Sequence, residues 1–292
     1  MSRAVDQAPP SRREMVVIAA GLAVVCLIAA VILGGLYFIT EPAKERNLHE
    51  REELMIRGLL GLSQQAKIHE VRRYVNNVGS ELQVVYLTDK KLAQMELDGR
   101  ELAVWPVPGD IAASASSDLK DEWVRKQVKP AEPEQIKYAG RFFVGVENAQ
   151  PAGYVVEGVT AGFKNWIRLF MAIDSAYSIK GIEIIEHEED PGLGAEIVQR
   201  YFKNQFAGRS FADIEKVSVT KDPLPKDWQT ALEQLGDMPF APWLEKYREM
   251  LPKNPNIHAI TGSTISSTAV TVGVKTALGN FRKRMNIVEK YL

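Results

Sequence analysis

Cysteine is nearly absent. Of 292 residues only Cys26 carries a thiol, and it lies inside an apolar run. An intramolecular disulfide, a cysteine-held iron–sulfur cluster, a zinc ribbon and a Cys-x-x-Cys-His haem attachment are thereby excluded. A surplus of charge is also absent: 36 Lys and Arg face 37 Asp and Glu, a formal net charge of −1. That balance provides no basic surface for nucleic acid, and none is expected as a partner. No internal repeat or low-complexity tract is present. The patterns Gly-x-Ser-x-Gly, Gly-x4-Gly-Lys and His-Glu-x-x-His are missing, so no catalytic residue and no metal site is nominated.

What is present first is an uncharged apolar run over residues 15–39. As a helix it spans roughly 37 Å, more than the ~30 Å hydrocarbon core of a bilayer. A cleaved signal peptide would have a shorter apolar region, about 7–15 residues, and a small-residue cleavage site. Tyr37 and Phe38 stand where interfacial aromatics belong. The run is read as a retained transmembrane helix. Arg3, Arg12 and Arg13 precede it, which places residues 1–14 in the cytoplasm and the rest of the chain across the membrane. Ala30 and Gly34 form a small-xxx-small pair that suits a neighbouring helix, or simply reflect ordinary membrane-helix composition.

Pro42 is expected to end this helix, and residues 40–80 to form a juxtamembrane helical segment with apolar positions at Leu48, Leu54, Met55, Leu59 and Leu62. A domain over 81–292 follows. Alternation predicts strands at 82–87 and 101–105, with Asp98-Gly99 as the turn signal between them. A surface excursion around a short helix at 119–128 comes next. Strands are expected at 142–146, 153–159, 166–173 and 179–186, the last rich in β-branched residues. A helix is expected at 195–206 and partly extended chain at 211–220. Residues 221–256 read as an inserted helix-and-loop stretch, either a partner-docking element or a decorated loop. Residues 267–290 have the spacing of an amphipathic helix, with Val270, Val274, Leu278, Phe281 and Met285 on one face. The fold class is α+β: a mainly antiparallel sheet with flanking helices behind one transmembrane helix.

The run Thr261-Gly262-Ser263-Thr264-Ile265-Ser266-Ser267 opens that last helix. A glycine in a hydroxyl-rich turn before a helix N-terminus offers backbone N–H groups and a favourable dipole to a phosphate. A plain Ser/Thr N-cap explains the same residues. Upstream, His187-Glu188-Glu189-Asp190-Pro191-Gly192-Leu193-Gly194 is a tight turn on any reading. Its adjacent acidic residues and histidine cannot all point at one metal ion. Trp105, Trp123, Trp166, Trp228 and Trp243 are candidates for core packing or for stacking on a planar ligand. His49 and His69 lie in charged stretches and are read as solvated.

Both segments resemble the FMN-binding domain family. The first is similar to its flavinylation motif, an Asp, two residues, then Ser/Thr-Gly-Ala-Thr, whose last threonine carries FMN through a phosphoester. That position maps onto Thr264. Thr261 and Gly262 match, Ser263 replaces Ala, and His258 stands where the Asp is expected. In the family, that Asp helps a flavin transferase engage the site. The second segment is similar to the family's His-x-Glu-Thr-Pro-Gly-Leu-Gly loop, which packs on the isoalloxazine ring, with its Thr and Leu positions at Asp190 and Leu193. Asp for Thr places a carboxylate near the flavin and disfavours a reduced anionic form. A weaker likeness lies in Gly153-Tyr154-Val155-Val156, Gly162 and Ile173-Asp174.

The resemblance implies FMN held covalently on Thr264, with Thr261, Gly262, Ser263, Ser266, Asp190, Gly192, Leu193 and Gly194 around it. It also implies an electron-transfer subunit of a membrane-bound, ion-translocating oxidoreductase of the Rnf type, linked to ferredoxin or NADH, in the cell (inner) membrane with its domain outside the cytoplasm. Partners would be the complex's other membrane subunits and a flavin transferase. The C-type component of the sodium-translocating NADH:quinone oxidoreductase is similar in layout. Two other readings stay open: a non-redox scaffold with a degenerate flavin motif, and a sensor that binds a phosphorylated small molecule reversibly at residues 261–267.

Overall fold

A computed structural model describes residues 12–288. Most of the expected cytoplasmic segment 1–14, and the last two residues of the helix expected at 267–290, lie outside those residues. The chain divides into two units, Met1–Arg51 and Glu52–Leu292.

Helix α1 (Arg12–Leu60) is longer than expected, running unbroken through Pro42. The sequence beyond Pro42 is rich in Glu, Arg and Leu, all strong helix formers, and Glu41–Lys44 and Glu53–Arg57 pair along it. In the first unit, the helix exposes apolar side chains from Val16 to Ile39. It is apolar and long enough to cross a membrane.

The second unit is built on one eight-stranded antiparallel sheet of order β4-β3-β2-β1-β5-β6-β7-β8. The strands are β1 (Lys67–Val78), β2 (Glu81–Leu87), β3 (Lys91–Glu96), β4 (Glu101–Pro106), β5 (Ile136–Glu147), β6 (Gln150–Ala161), β7 (Trp166–Ile173) and β8 (Ile179–Glu186). Two four-stranded meanders lie edge to edge and join where β1 pairs with β5. Between β4 and β5 come α2 (Gly109–Ala112) and α3 (Ser117–Val128), the latter capped by the Ser116 hydroxyl. After β8, α4 (Arg200–Lys203) is flanked by 3-10 turns at Gly194–Val198 and Asn204–Phe206, so the helix expected at 195–206 is broken into three short pieces. Then follow α5 (Phe211–Lys216), β9 (Val219–Thr220), α6 (Lys226–Gln234), α7 (Phe240–Tyr247), β10 (Ile257–His258) and α8 (Thr264–Val288).

The expected helical segment over 40–80 needs correction. It is helical only to Leu60, and residues 67–78 form β1, so the folded domain begins before residue 81. Charge hid this strand. His69, Glu70, Arg72, Arg73 and Asn76 take positions that a half-buried strand normally fills with apolar residues. Glu70 and Arg72 are tolerated because they are paired. Glu70 meets Lys120 at 2.7 Å, Arg72 meets Asp121 at 3.0 Å, and Arg141 joins Glu52 at 2.6 Å to Glu70 at 3.3 Å. His69, expected to be solvated, lies against Asp89.

One sheet face carries the main core, where Val71, Val156, Leu169 and Met171 pack under Val270, Val274, Leu278 and Phe281 of α8. Small residues set the closeness of that packing. A Cβ added at Gly273 would lie 3.0 Å from Thr160, and one at Gly158 would lie 3.3 Å from Ala277. The opposite face is covered by Ile56 and Leu60 of α1 against Phe143, Val155 and Phe170, and by Val124 of α3. Residues 221–256 pack into a small cluster with Ala207, in which Trp228 and Trp243 are fully buried and the Trp243 indole donates to Ala231 O at 2.7 Å.

Candidate functional site

Sheet and helix bring three loops to one point. Residues 162–165 connect β6 to β7, residues 187–194 follow β8, and residues 259–263 lead into α8. In the last of these, Ser263 N–H donates to Ile260 O at 2.9 Å and closes a tight turn, with Gly262 at φ +78°. A side chain there is strained by the backbone, and a Cβ would also touch Leu193 Cδ2 at 3.0 Å. The turn is held from inside by Ser267. Its hydroxyl accepts from Ile260 N–H at 3.1 Å and donates to Ser263 O at 2.9 Å.

Thr264 is the first residue of α8. Ser267 N–H finds Ser263 O at 3.1 Å, and the N–H groups before it are the orphan donors every helix start presents. The half-buried Thr264 has no side-chain hydrogen bond recorded among the described residues, unlike Ser266, Ser267 and Thr271. A free hydroxyl thus stands at the positive end of the 25-residue helix α8.

Glu189 joins the three loops. It is 5% exposed. Its carboxylate accepts from Phe163 N–H at 2.8 Å and Lys164 N–H at 3.0 Å, and from the Ser266 hydroxyl. Cβ atoms added at Gly162 or Gly194 would lie 2.4 Å and 2.6 Å from its oxygens, so both glycines leave room for this carboxylate. Its acidic neighbours go elsewhere. Glu188 accepts from Asn165 at 2.8 Å, and Asp190 pairs with Lys164, whose ammonium is pushed up by that hydrogen bond and charge.

Of the residues singled out in the sequence, Asp190, Leu193, Gly194, Gly262, Ser263, Thr264 and Ser266 line one cavity of about 360 Å³. Thr261 and Gly192 (φ +72°) shape the two turns without lining it. A second hollow, shared by Thr264 and Ile265 with Val272, adjoins it. Phe163, Leu193 and Ile265 are 61%, 47% and 58% exposed at this rim, an apolar surface open to a planar ligand. No tryptophan among the described residues lines either hollow. His258 is engaged in the fold: its N–H donates to buried Gln205 at 2.8 Å, and its ring nitrogen lies 3.0 Å from Asp222 O. Sequence reasoning missed Glu189, Lys164, Phe163 and Ile265 as site residues. Only Glu189 had a signal, since it matches the glutamate of the family's loop.

Residues 162–279 match the family described as the FMN-binding domain. The chain is 28% identical over 197 residues to the G component of the Na(+)-translocating ferredoxin:NAD(+) oxidoreductase complex of Acetobacterium woodii, covering 66% of this chain and 79% of that protein. It is 24% identical over 177 residues to the G component of the proton-translocating ferredoxin:NAD(+) oxidoreductase complex of Clostridium ljungdahlii, covering 60% and 79%. Among solved structures, NqrC of Shewanella oneidensis aligns with a TM-score of 0.48 and 12% identity, covering 85% of this chain and 99% of that one.

Proposed function

We propose that this chain, which carries an FMN-binding domain across residues 162–279, is a membrane-anchored electron-transfer subunit that holds FMN covalently on Thr264. One observation carries the reading: the unengaged Thr264, the N-terminus of α8 and the apolar rim of Phe163, Leu193 and Ile265 converge on one cavity. The residues suit the group. Orphan N–H groups and the helix dipole favour a phosphate at Thr264. Gly262 lets the turn before Thr264 close against Leu193. Glu189 fixes the 162–165 loop and Ser266 relative to each other, so rim and attachment point hold one spacing. Lys164 sets a positive charge beside Asp190, which offsets the carboxylate that departs from the family pattern.

Bound FMN supplies the redox chemistry, and the protein supplies position and electrostatics. Covalent attachment suits a domain outside the cytoplasm, where a dissociated flavin is lost. The arginines before the apolar run favour that orientation. The complex proposed is an ion-translocating oxidoreductase linking ferredoxin and NAD, with a flavin transferase required for maturation. The protein itself is a relay rather than the site of substrate turnover.

The test is the full chain co-expressed with a flavin transferase and run on a denaturing gel. Flavin fluorescence that survives denaturation and disappears in Thr264→Ala supports the reading. Fluorescence retained in Thr264→Ala removes the site. A dark wild-type band favours the scaffold reading, for which the departures at His258 and Asp190 are the supporting observations.

A further inference from the structure

A cavity of about 660 Å³ lies apart from the one at Thr264. It lies under the later turns of α8, lined there by Gly273, Thr276, Asn280 and Arg284, so it sits roughly 13–30 Å along the helix from Thr264. Its floor is an irregularity in the sheet. The pairing of β1 with β5 slips between Arg72 and Tyr74, where Ala139 and Gly140 (φ +103°) form the extra length of a bulge. Bulges open a sheet locally and re-aim side chains, and here side chains from both sheet faces reach one hollow.

Five arginines line it: Arg72, Arg73, Arg141, Arg168 and Arg284. Its two carboxylates, Asp121 and Glu157, are already engaged. Asp121 accepts from Arg72 at 3.0 Å, and Glu157 accepts from Arg168 at 2.6 Å and lies 3.4 Å from Arg141. Arg73 and Arg284 form no ion pair among the described residues. Arg73 Nε is buried without a hydrogen-bond partner. Burial, and then the like charge of Arg73, push the Arg284 guanidinium down, with only the Tyr86 phenol opposing them. Two half-buried guanidinium groups of like charge face this hollow, and the carboxylates that line it are paired with Arg72, Arg141 and Arg168 rather than with them. Arginine forks match phosphate and carboxylate geometry, and the asparagine and threonine beside them supply further polar groups. The volume exceeds that of an inorganic ion and falls in the range of small-ligand sites.

The geometry points to a second ligand site, in which Arg73 and Arg284 bind the oxyanion of a small organic phosphate or carboxylate. This inference does not rest on flavin attachment at Thr264.

The test uses full-length protein in detergent, in buffer free of phosphate and carboxylate. Thermal unfolding and calorimetric titration are recorded with inorganic phosphate, glucose 6-phosphate and succinate. A saturable rise in the unfolding midpoint is expected with at least one probe. Stronger stabilisation by the sugar phosphate assigns a phosphate ester, and stronger stabilisation by succinate assigns a carboxylate. Affinity falls about tenfold or more in Arg73→Gln and in Arg284→Gln. It is retained in Arg282→Gln, a residue of the same helix that stacks on Phe211 instead. With no probe present, Arg284→Gln unfolds at a higher temperature than the wild type, because a like-charge contact is removed. No saturable stabilisation by any probe, or an equal loss in Arg282→Gln, overturns the assignment.

Discussion

At the residue scale the site depends on one backbone angle and one buried carboxylate. Gly262 at φ +78° is the conformation L side chains avoid. Gly262→Ala is expected to cost about 1–2 kcal/mol and to lower flavin incorporation, read by unfolding midpoint and by flavin content per chain. Glu189→Gln removes charge-assisted acceptance from Phe163 N–H and Lys164 N–H in a site with no room to relax. A loss of about 2 kcal/mol is expected, together with faster amide exchange at residues 162–165. Lys164→Met leaves Asp190 unpaired beside the proposed flavin. The flavin potential is expected to fall in redox titration, less so at high salt, because this pair is solvent-exposed.

At the scale of elements, α8 lies close on β6 because Gly273 faces Thr160. Gly273→Val pushes them apart and is expected to cost about 1–3 kcal/mol, measured as a lowered unfolding midpoint. The same elements explain what was legible in the sequence. Strands β7 and β8 were readable over their full lengths because β-branched and apolar residues dominate them. The helix α8 was readable from its spaced apolar residues, but it begins at Thr264, three residues before the expected start at 267. Strand β1 was not, because its stabilising partners are charges that arrive from Lys120, Asp121 and Arg141, 45 or more residues away. Nor does local sequence reveal which of Glu188, Glu189 and Asp190 is buried. That is decided by N–H groups on the β6–β7 loop. The two short strands β9 and β10 are two residues each, too short to carry a pattern, and only partly extended chain over 211–220 was expected there; backbone bonds from Ile257 N–H to Ser218 O and from Ala259 N–H to Thr220 O, each 2.9 Å, pair them.

At the scale of the whole molecule, a buried charge network ties α1, β1, α3 and β5 together, and its centre is Glu70. Burial alone raises the Glu70 carboxyl, but Lys120, Arg72 and Arg141 outweigh it and hold the pKa below 4.5. The folded protein binds this proton less tightly than the unfolded chain. The stabilisation is therefore complete above pH 4.5 and is lost as pH falls through the lowered folded value. Glu70→Gln is expected to destabilise the protein by about 3–5 kcal/mol at neutral pH and to flatten the acid limb of its stability curve. Beyond stability, the molecule combines an apolar helix fit to cross a membrane with a folded domain whose cavity converges on Thr264. The central claim is the covalent bond at that residue. Peptide mass mapping of protein purified from its own host tests it most directly. The account predicts a 261–267 peptide carrying one FMN phosphoester on Thr264. An unmodified peptide, from protein that otherwise assembles in its membrane complex, would contradict it.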